Sequence, residues 1–531
     1  MKTKNRFNLF IIILVILTFT SVYAQDPMIE WQKTIGGSKA DNLTCLINTS
    51  DGGYLTGGTS LSDISGDKTE NSIGKEDFWV VKLNSSGDIE WQKTIGTDGI
   101  DVLKSVVQTT DGGYFLGGYS YPNTFGNITA DYRIVKLNTL GTIEWQKTIG
   151  GNNEDVLNSV EQTTDGGYVL GGYSWSNISG DKTENSNGEY DYWVVKTDSN
   201  GIIQWQNTIG GNSIDQLNSI AQTTDGGYIL GGWSRSNISG DKSENLIGVE
   251  NWEDYWVVKL NSSGGIVWQN TIGGDKADVL TSISQTTDGG FIVGGYSRSN
   301  ISGDKTEDNQ SIPEDYWVIK LDGNGIMEWQ NTIGGSLTEF LSSIHQTTDG
   351  GYIIGGHSTS NSSGDKSENT LSKDYWIVKL NNSGVIQWEN TINGDSSDVL
   401  LAALQTSNGG YILGGYSISG LNLDKTVSNN GAEDYWIIKL KESTLSASED
   451  DFKNPLVVYP NPTQGKITID LGETYQEINL KLFSINGQTI LSKKFYESEK
   501  IELEILFPKG VYLIKLHEPN DSSTFHKIIV N

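Results

Sequence analysis

The residues best able to do chemistry occur in a loop motif that recurs along the chain. The motif reads DISGDKTEN at 63–71, and close variants start at residues 177, 237, 300 and 361. Acidic and hydroxyl side chains at alternating positions supply the oxygen ligands that a hard cation such as Ca²⁺ requires. The motif therefore predicts calcium sites with these carboxylate ligands: Asp63, Asp67, Glu70, Asp181, Glu184, Asp241, Glu244, Asp304, Glu307, Asp365 and Glu368.

A solvated turn is the alternative reading of the same loops. Asp and Ser side chains commonly satisfy nearby backbone amides, which needs no cation. The spacing also departs from an EF-hand loop, because glycine comes early and a lysine is interposed. The second and seventh of the repeated units lack the motif, so the calcium hypothesis concerns five units.

A second set of candidates stands where these loops begin. The residue at this position differs between units and includes Tyr121, Trp175, Arg235 and Arg298. Aromatic and arginine side chains on one rim can stack on, and hydrogen-bond to, a glycan or a peptide. We therefore expect them to form a binding site, with scattered surface variation as the alternative.

Signals for catalysis are sparse. The chain has four histidines, His345, His357, His517 and His526, and contains neither an HExxH motif nor a nucleophile elbow. A single cysteine, Cys45, excludes an internal disulfide or a redox pair. No catalytic residue is predicted, although a glycosidase would need only two carboxylates about 5–10 Å apart.

Internal repeats determine which elements position these residues. The four-residue motif Asp-Gly-Gly-aromatic recurs about every 60 residues. Its copies start at Asp51, Asp111, Asp165, Asp225, Asp288 and Asp349, and a degenerate copy starts at Asn408. Within the third unit, 155–174 is typical of two strands joined by a tight Asp-Gly turn, and 191–197 and 202–209 of two more. Each unit is therefore a four-stranded antiparallel sheet.

The order of these strands predicts how the units close. Seven Trp-bearing fourth strands occur, but the first of them, 29–35, opens the chain, and none follows the last third strand. The sequence thus predicts an all-β fold, a seven-bladed β-propeller over 25–441 in which the N-terminal strand completes the last blade.

The repeat GGYILGGYS…DYWVVKLN…WQ.TIGG resembles the bacterial seven-bladed β-propeller repeat family of exported proteins, and more distantly kelch blades. The resemblance covers 29–440. It implies the fold strongly and a function only weakly, because propellers host many activities. In such a ring the long second-to-third-strand loops and the connections between blades share one face, where we expect binding.

Both ends of the chain carry export signals. Basic residues precede an apolar run from Leu9 to Phe19 that ends in small residues, which predicts a signal peptide at 1–24 and no transmembrane segment in the mature chain. The net charge of −29 disfavours nucleic acid as a partner.

A different domain follows a polar linker at 442–454. Alternating segments over 455–531 predict a small antiparallel β-sandwich. The segments VVYPNPTQGKITIDL (457–471), LFSINGQTI (482–490) and PKGVYLIKL (508–516) resemble the type A C-terminal sorting domain of type IX secretion in Bacteroidetes. The matching motif residues are Pro460, Asn461, Pro462, Gly465, Gly510 and Lys527. The resemblance implies the type IX secretion machinery as a partner, and a product that is secreted or attached to the outer cell surface.

These observations predict an exported propeller that acts as a binding or adhesion module, with a glycan or a surface protein as its partner. Two alternatives stay open. One is an enzyme, a hydrolase or a lyase, that acts on extracellular polysaccharide; the other is a purely structural surface spacer.

Overall fold

The computed structural model describes residues 27–122, 129–248, 252–310, 313–441, 457–484, 489–504, 508–517 and 523–530. All regular elements in these ranges are β-strands, so none of the described residues forms a helix that could cross a membrane. The predicted signal peptide at 1–24 and linker at 442–454 lie outside the described residues. Asp26–Ser443 forms one compact unit, and the C-terminal strands belong to another.

The first unit contains seven four-stranded antiparallel sheets, which are the blades of a propeller. Blade 1 contains β2 (Asp41–Asn48), β3 (Tyr54–Ser60), β4 (Asp77–Leu83) and β5 (Ile89–Ile95); blade 2 contains β6 (Ile100–Gln108), β7 (Tyr114–Tyr121), β8 (Asp131–Leu137) and β9 (Ile143–Ile149); blade 3 contains β10 (Asp155–Gln162), β11 (Tyr168–Ser174), β12 (Asp191–Thr197) and β13 (Ile203–Ile209); blade 4 contains β14 (Asp215–Gln222), β15 (Tyr228–Ser234), β16 (Asp254–Leu260) and β17 (Ile266–Ile272).

Blade 5 contains β18 (Asp278–Gln285), β19 (Phe291–Ser297), β20 (Asp315–Leu321) and β21 (Met327–Ile333); blade 6 contains β22 (Glu339–Gln346), β23 (Tyr352–Ser358), β24 (Asp374–Leu380) and β25 (Ile386–Ile392); blade 7 contains β26 (Asp398–Gln405), β27 (Tyr411–Ser417), β28 (Asp434–Lys441) and β1 (Met28–Ile35). The seven-bladed prediction is confirmed.

The N-terminal strand closes the ring. β1 pairs antiparallel with β28, from Met28 opposite Lys441 to Ile35 opposite Tyr435. The indole nitrogen of Trp436 donates to Gln32 Oε1 at 3.1 Å, and the same bond joins Trp193 to Gln206 within blade 3 at 3.1 Å. The first strand of the chain is therefore the fourth strand of blade 7, as the strand order predicts, and the sheet has no unpaired edge between the termini.

The core of the ring lies between blades. Third strands are apolar on both faces because each face packs against a sheet, and their tryptophans are fully buried. The Tyr192 ring lies 4.8 Å from that of Trp256 in the next blade, and its hydroxyl donates to the Trp256 carbonyl oxygen at 3.0 Å. A Cβ atom on Gly171 would lie 2.8 Å from Ile220 and Leu217 side chains of the next blade, so glycine at this position permits close stacking.

The C-terminal unit is a five-stranded antiparallel sheet. Its strands are β29 (Val457–Tyr459), β30 (Lys466–Ser484), β31 (Thr489–Glu504), β32 (Gly510–His517) and β33 (Ser523–Val530). β30 pairs with β31 along one edge and with β29 and β32 along the other. Residues from both halves of β30, such as Ile467 and Leu480, enter the same apolar core, so one continuous sheet provides both layers of the predicted sandwich.

Candidate functional site

The long second-to-third-strand loops lie on the same side of the ring as the connections between blades. In blade 3 the loop 175–190 follows β11, and its Asp181 amide donates to the carbonyl oxygen of Gly150, which directly follows the fourth strand of blade 2, at 2.8 Å. We call this surface the long-loop face. The opposite face carries tight turns, where Asp165 accepts from the Gly167 amide at 3.0 Å.

The repeated loop fastens each blade to the one before it. The Gly150 amide donates to Asp181 Oδ2 at 3.2 Å, which together with the reverse backbone bond makes a two-point contact. The same contact joins these pairs of residues: Asp67 and Gly36, Asp241 and Gly210, Asp304 and Gly273, Asp365 and Gly334. The motif aspartate thus acts as an acceptor for backbone amides between blades.

The lysine and glutamate of the motif are used inside their own blade. Lys182 is buried, with Nζ 2.6 Å from Thr208 Oγ1 and 5.5 Å from the Trp193 ring centroid. Burial lowers its pKa to about 8, an effect that Asp155 and Asp191 partly offset. Glu184 accepts from the Thr208 amide at 2.6 Å. Lys182 and Glu184 therefore anchor the loop to β13.

This arrangement does not bring the predicted calcium ligands together. Asp63 is exposed and pairs with Lys39 at 3.4 Å, whereas Asp67 and Glu70 accept from backbone amides of different strand ends. In the part of the chain that the structure describes, no three His, Cys, Asp or Glu side chains converge as a metal site would require. Calcium binding stays a prediction, and the loop has a use for its carboxylates that needs no cation.

Blade 7 corrects the expectation that it lacks the motif. The Asp424 amide donates to the Asn393 carbonyl oxygen at 3.1 Å, and the Asn393 amide returns a bond to Asp424 Oδ2 at 3.0 Å. Lys425 Nζ lies 2.7 Å from Ser417 Oγ and 5.0 Å from the Trp436 ring. The Asp-Lys dipeptide was the sequence signal, and the changed residues before it (Leu-Asn-Leu in place of Ile-Ser-Gly) concealed the relationship.

Blade 2 lacks the loop lysine and uses Arg133 instead. This arginine occupies the third-strand tryptophan position and is 5% exposed. Its Nη2 donates to Gln146 Oε1 at 3.0 Å, as the indole does in other blades, and its Nε lies 3.5 Å from Asp101 Oδ1. One side chain thus replaces both the lysine and the tryptophan, so Arg133 belongs to the core and not to a binding surface.

Two carboxyl groups adjoin each other at each boundary between blades, and all of them are buried except the half-buried Asp131. One is the first residue of a third strand, and the other is the first acidic residue in the first strand of the next blade. The Asp215 amide donates to the carbonyl oxygen of Tyr190, which precedes Asp191, at 2.7 Å. We call these the junction pairs: Asp77 and Asp101, Asp131 and Asp155, Asp191 and Asp215, Asp254 and Asp278, Asp315 and Glu339, Asp374 and Asp398, Asp434 and Asp41.

Several of the junction pairs contain an aspartate whose pKa is raised far above its ordinary value. Burial, together with the charge of Asp215, raises the pKa of Asp191 to about 7, and burial together with Asp278 raises that of Asp254 to about 8. In one pair the side chains of Asp315 and Glu339 hydrogen-bond to each other, which further raises the pKa of Asp315. Two such carboxyl groups titrate as a unit, and one shared proton offsets their repulsion.

The four predicted binding residues separate into two groups. Trp175 is 48% exposed, and its ring lies 5.7 Å from that of Tyr190. The hydroxyls of Tyr121 and Tyr190 donate to the two carboxylate oxygens of Glu154 at 2.6 Å and 2.8 Å. We call Tyr121, Glu154, Trp175 and Tyr190 the aromatic sector, which residues of blades 2 and 3 build together.

The two arginines form ion pairs instead. Arg235 Nε donates to Glu253 Oε1 at 3.1 Å, and Arg298 Nε donates to Glu314 Oε1 at 2.6 Å. Glu253 and Glu314 immediately precede the third strands of the same blades, so each arginine is held within its own blade. Tyr190 and Glu154, which complete the aromatic sector, were missed from sequence because neither stands at the start of a loop.

The two propeller histidines are held neutral. Burial lowers the pKa of His345 and of His357 to about 4. His357 packs with its ring 5.4 Å from that of Phe340. Both residues lie within strands of blade 6, His345 in β22 and His357 in β23.

The sorting motif joins the two ends of the C-terminal unit. Asn461 Oδ1 accepts from the Ile529 amide at 2.9 Å, and the Thr463 amide donates to the Ile529 carbonyl oxygen at 2.8 Å. Pro460 and Pro462 are exposed beside this contact, and Gly465 has a φ of 126°. Gly510 pairs with Val530, and Lys527 pairs with Leu513. The motif residues thus occupy neighbouring strand ends.

Comparison with known families identifies this C-terminal unit. Residues 457–531 match the family described as the secretion system C-terminal sorting domain. The resemblance seen in the sequence is confirmed, and the protein is exported through type IX secretion to the cell surface or beyond it.

The propeller has more distant relatives. Regulatory protein FlaEY of Caulobacter vibrioides is 21% identical over 467 residues; the match covers 80% of this chain and 46% of FlaEY, so the chain spans about half the length of that relative. Among solved structures, the Neurospora crassa Pan2 WD40 domain is 10% identical with a TM-score of 0.40, covering 76% of this chain and 89% of that chain. Sqt1 from Chaetomium thermophilum is 11% identical with a TM-score of 0.39, covering 82% and 97%. The propeller assignment rests on the strand pairing described above.

Proposed function

We propose that this exported propeller is a binding module that holds its ligand at the aromatic sector of the long-loop face. The observation that carries the proposal is the exposed ring of Trp175, which packs against the ring of Tyr190. The Tyr190 hydroxyl in turn donates to Glu154, which holds the tyrosine in place. A large aromatic ring that is both exposed and held in place contributes strongly to recognition, because little side-chain entropy is lost on binding.

The sequence position of Trp175 supports a specific role. Tryptophans that recur in every unit, such as Trp193 and Trp256, are buried between blades. Trp175 occurs only in blade 3, where the equivalent residues of blades 4 and 5 are the ion-paired arginines. A residue that departs from the repeat and stays exposed is not needed for blade packing.

The surroundings limit the class of ligand. Export places the protein where it meets glycans and surface proteins. The net charge of −29 repels polyanions, so nucleic acid and strongly acidic glycans fit poorly. A neutral or cationic group on a glycan or a surface protein fits the aromatic sector best.

Binding of the exported protein to immobilised neutral and aminated oligosaccharides and to cationic peptides tests this proposal. For any probe that binds, we expect the Trp175→Ala variant to bind about tenfold more weakly or worse. Trp252→Ala is the matched control, because Trp252 is also partly exposed, at 39%, but belongs to the blade 4 loop. Equal binding by the parent and the Trp175→Ala variant would place the site elsewhere.

A structural spacer is the second candidate. The near-identical contacts at successive blade boundaries favour it, because a rigid ring needs nothing more. The two candidates differ in one outcome: a spacer binds none of the probes, and Trp175→Ala then changes no measurable property except local fluorescence.

A further inference from the structure

The aromatic sector surrounds a carboxylate that forms no ion pair with a basic side chain among the described residues. The Glu154 carboxylate accepts hydrogen bonds from the hydroxyls of Tyr121 and Tyr190, and the Glu154 carbonyl oxygen accepts from the Trp175 amide at 2.8 Å. Among the ion pairs formed by the described residues, none includes Glu154. Its negative charge therefore remains available to a ligand.

Other acids on the same rim differ in this respect. Glu253 and Glu314 each pair with the arginine of their own blade. At the corresponding position of blade 3 the structure has Trp175, and its partner before the third strand is Tyr190 instead of an acid. The chain thus supplies cations to two rim carboxylates and supplies aromatic rings to Glu154.

Two further tyrosines complete the surroundings of this carboxylate. The charge of Glu154 contributes, after burial, to the raised pKa values of Tyr119 and Tyr173. Tyr119 lies edge-on to Tyr121 with ring centroids 5.7 Å apart, and Tyr173 lies edge-on to Tyr190 at 5.4 Å. Four tyrosines from two adjacent blades, together with Trp175, therefore gather near one carboxylate.

The rings are suited to a positive charge. Burial and Glu154 raise the pKa of Tyr190 to about 12, so its hydroxyl remains a neutral donor at physiological pH. Lys104 Nζ lies 5.8 Å from the Tyr119 ring centroid, so an amine nitrogen is already placed against an aromatic face of this cluster, and burial lowers the pKa of Lys104. Lys104 makes no ion pair with Glu154.

From this arrangement we infer that the aromatic sector recognises an alkylammonium cation. Aromatic faces attract such a cation through their quadrupoles, and a nearby carboxylate adds direct charge attraction. A hydrated metal ion would need several oxygen ligands, whereas the described residues contain no group of three acidic, histidine or cysteine side chains that could hold a metal ion. The inference rests on the proposed function and specifies the chemical group that the site binds.

Calorimetric titration of the full-length exported protein with choline tests the inference. The control ligand is 3,3-dimethyl-1-butanol, which has the same shape as choline but no charge. A second arm uses Nα-acetyl-lysine amide, which separates the primary ammonium of a peptide from a quaternary one. We expect at least one cation to bind at least tenfold more tightly than the uncharged analogue.

Three variants locate the binding. Trp175→Ala and Glu154→Gln are each expected to weaken binding of the cation at least fivefold. Trp252→Ala, which alters the blade 4 loop at a residue that is 39% exposed, is expected to leave it unchanged. Thermal unfolding of each variant identifies any loss that comes from unfolding instead of from the site.

The outcomes separate this inference from the proposed function. Equal affinity for choline and its uncharged analogue overturns the ammonium specificity and leaves an aromatic binding site. Failure of both cations, with a Trp175-dependent oligosaccharide signal in the panel assay, has the same meaning. Failure of every probe overturns both, and unchanged cation binding in Glu154→Gln overturns the role of the carboxylate.

Discussion

The blade boundaries and the rim of the long-loop face are built from the same loops but follow opposite rules. At the boundaries the same contacts return from blade to blade, with a motif aspartate on a backbone amide, a buried lysine over a tryptophan and a junction pair. At the rim the equivalent position holds Tyr121, Trp175, Arg235 or Arg298. Residues that repeat stabilise the ring, whereas residues that vary are free to bind.

Blade 2 shows how strict the boundary rule is. Without the lysine and the tryptophan, the chain still places a cation beside Asp101, through Arg133. The requirement at a boundary is therefore a positive charge and a donor to the fourth-strand glutamine, and not a particular pair of residues. The rim shows no such compensation between blades.

The largest difference between the two regions should appear in tryptophan truncations. Trp256→Ala removes a fully buried ring and should lower the free energy of unfolding by about 3–5 kcal/mol. Trp175→Ala should change it by less than about 0.5 kcal/mol. Urea unfolding of both variants measures this, and similar losses in the two would abolish the distinction between boundary and rim.

Arginine substitutions should repeat the contrast at a smaller scale. Arg133→Met leaves Asp101 buried without its cation, which should cost about 3 kcal/mol. Arg235→Met breaks an ion pair whose arginine and glutamate side chains are 36% and 14% exposed, and should cost about 1 kcal/mol or less. Thermal unfolding distinguishes them, and a harmless Arg133→Met would show that blade 2 needs no cation.

Junction aspartates with raised pKa values, such as Asp191, Asp254 and Asp315, should make the ring less stable as the pH rises. Burial raises the folded pKa of Asp254 to about 8 from 3.8, so the folded state keeps a proton that the unfolded chain has lost. The bound proton stabilises the folded state fully below about pH 4. This stabilisation falls by about 1.4 kcal/mol per pH unit for each such group as the pH rises from about 4 to about 8.

Asp254→Asn tests this linkage, because the amide is neutral at every pH. The slope of unfolding free energy against pH between 4 and 8 should become shallower. Asp165→Asn is the control: hydrogen bonds and Lys196 outweigh partial burial and lower the pKa of Asp165 to about 2, so its effect falls below this window. Lys242, whose pKa burial lowers to about 8, acts only above the window. An unchanged slope in Asp254→Asn would contradict proton retention.

Calcium should have the smallest effect. The loop carboxylates accept from backbone amides in the ring itself, so adding calcium after chelator treatment should leave the unfolding temperature within error. If calcium instead raised the unfolding temperature by several degrees, and Asp241→Asn abolished this rise, the loops would be metal sites. That result would weaken the interpretation of the loops as inter-blade contacts.

Much of the architecture was predictable because short stretches of the sequence encode it. Alternating apolar residues, Asp-Gly turns and the surplus fourth strand at 29–35 predict the blades and the closure of the ring. The loops were predicted on the correct face for the same reason. By contrast, the reduced motif at Asp424 and Lys425 escaped notice, because its contacts with Asn393 and Trp436 survive changes in the surrounding residues.

The sequence by itself determined the strands, their number, the ring and the export route, since short-range patterns of polarity and a linear sorting motif encode them. Only the tertiary structure decided what the charged residues do. Across blade boundaries, Asp181 hydrogen-bonds to Gly150, Asp191 adjoins Asp215, and Tyr121 hydrogen-bonds to Glu154. In each case the two residues are far apart in the chain. A carboxylate that binds a cation and one that accepts a backbone amide have the same letter in the sequence, and only their neighbours in space distinguish them.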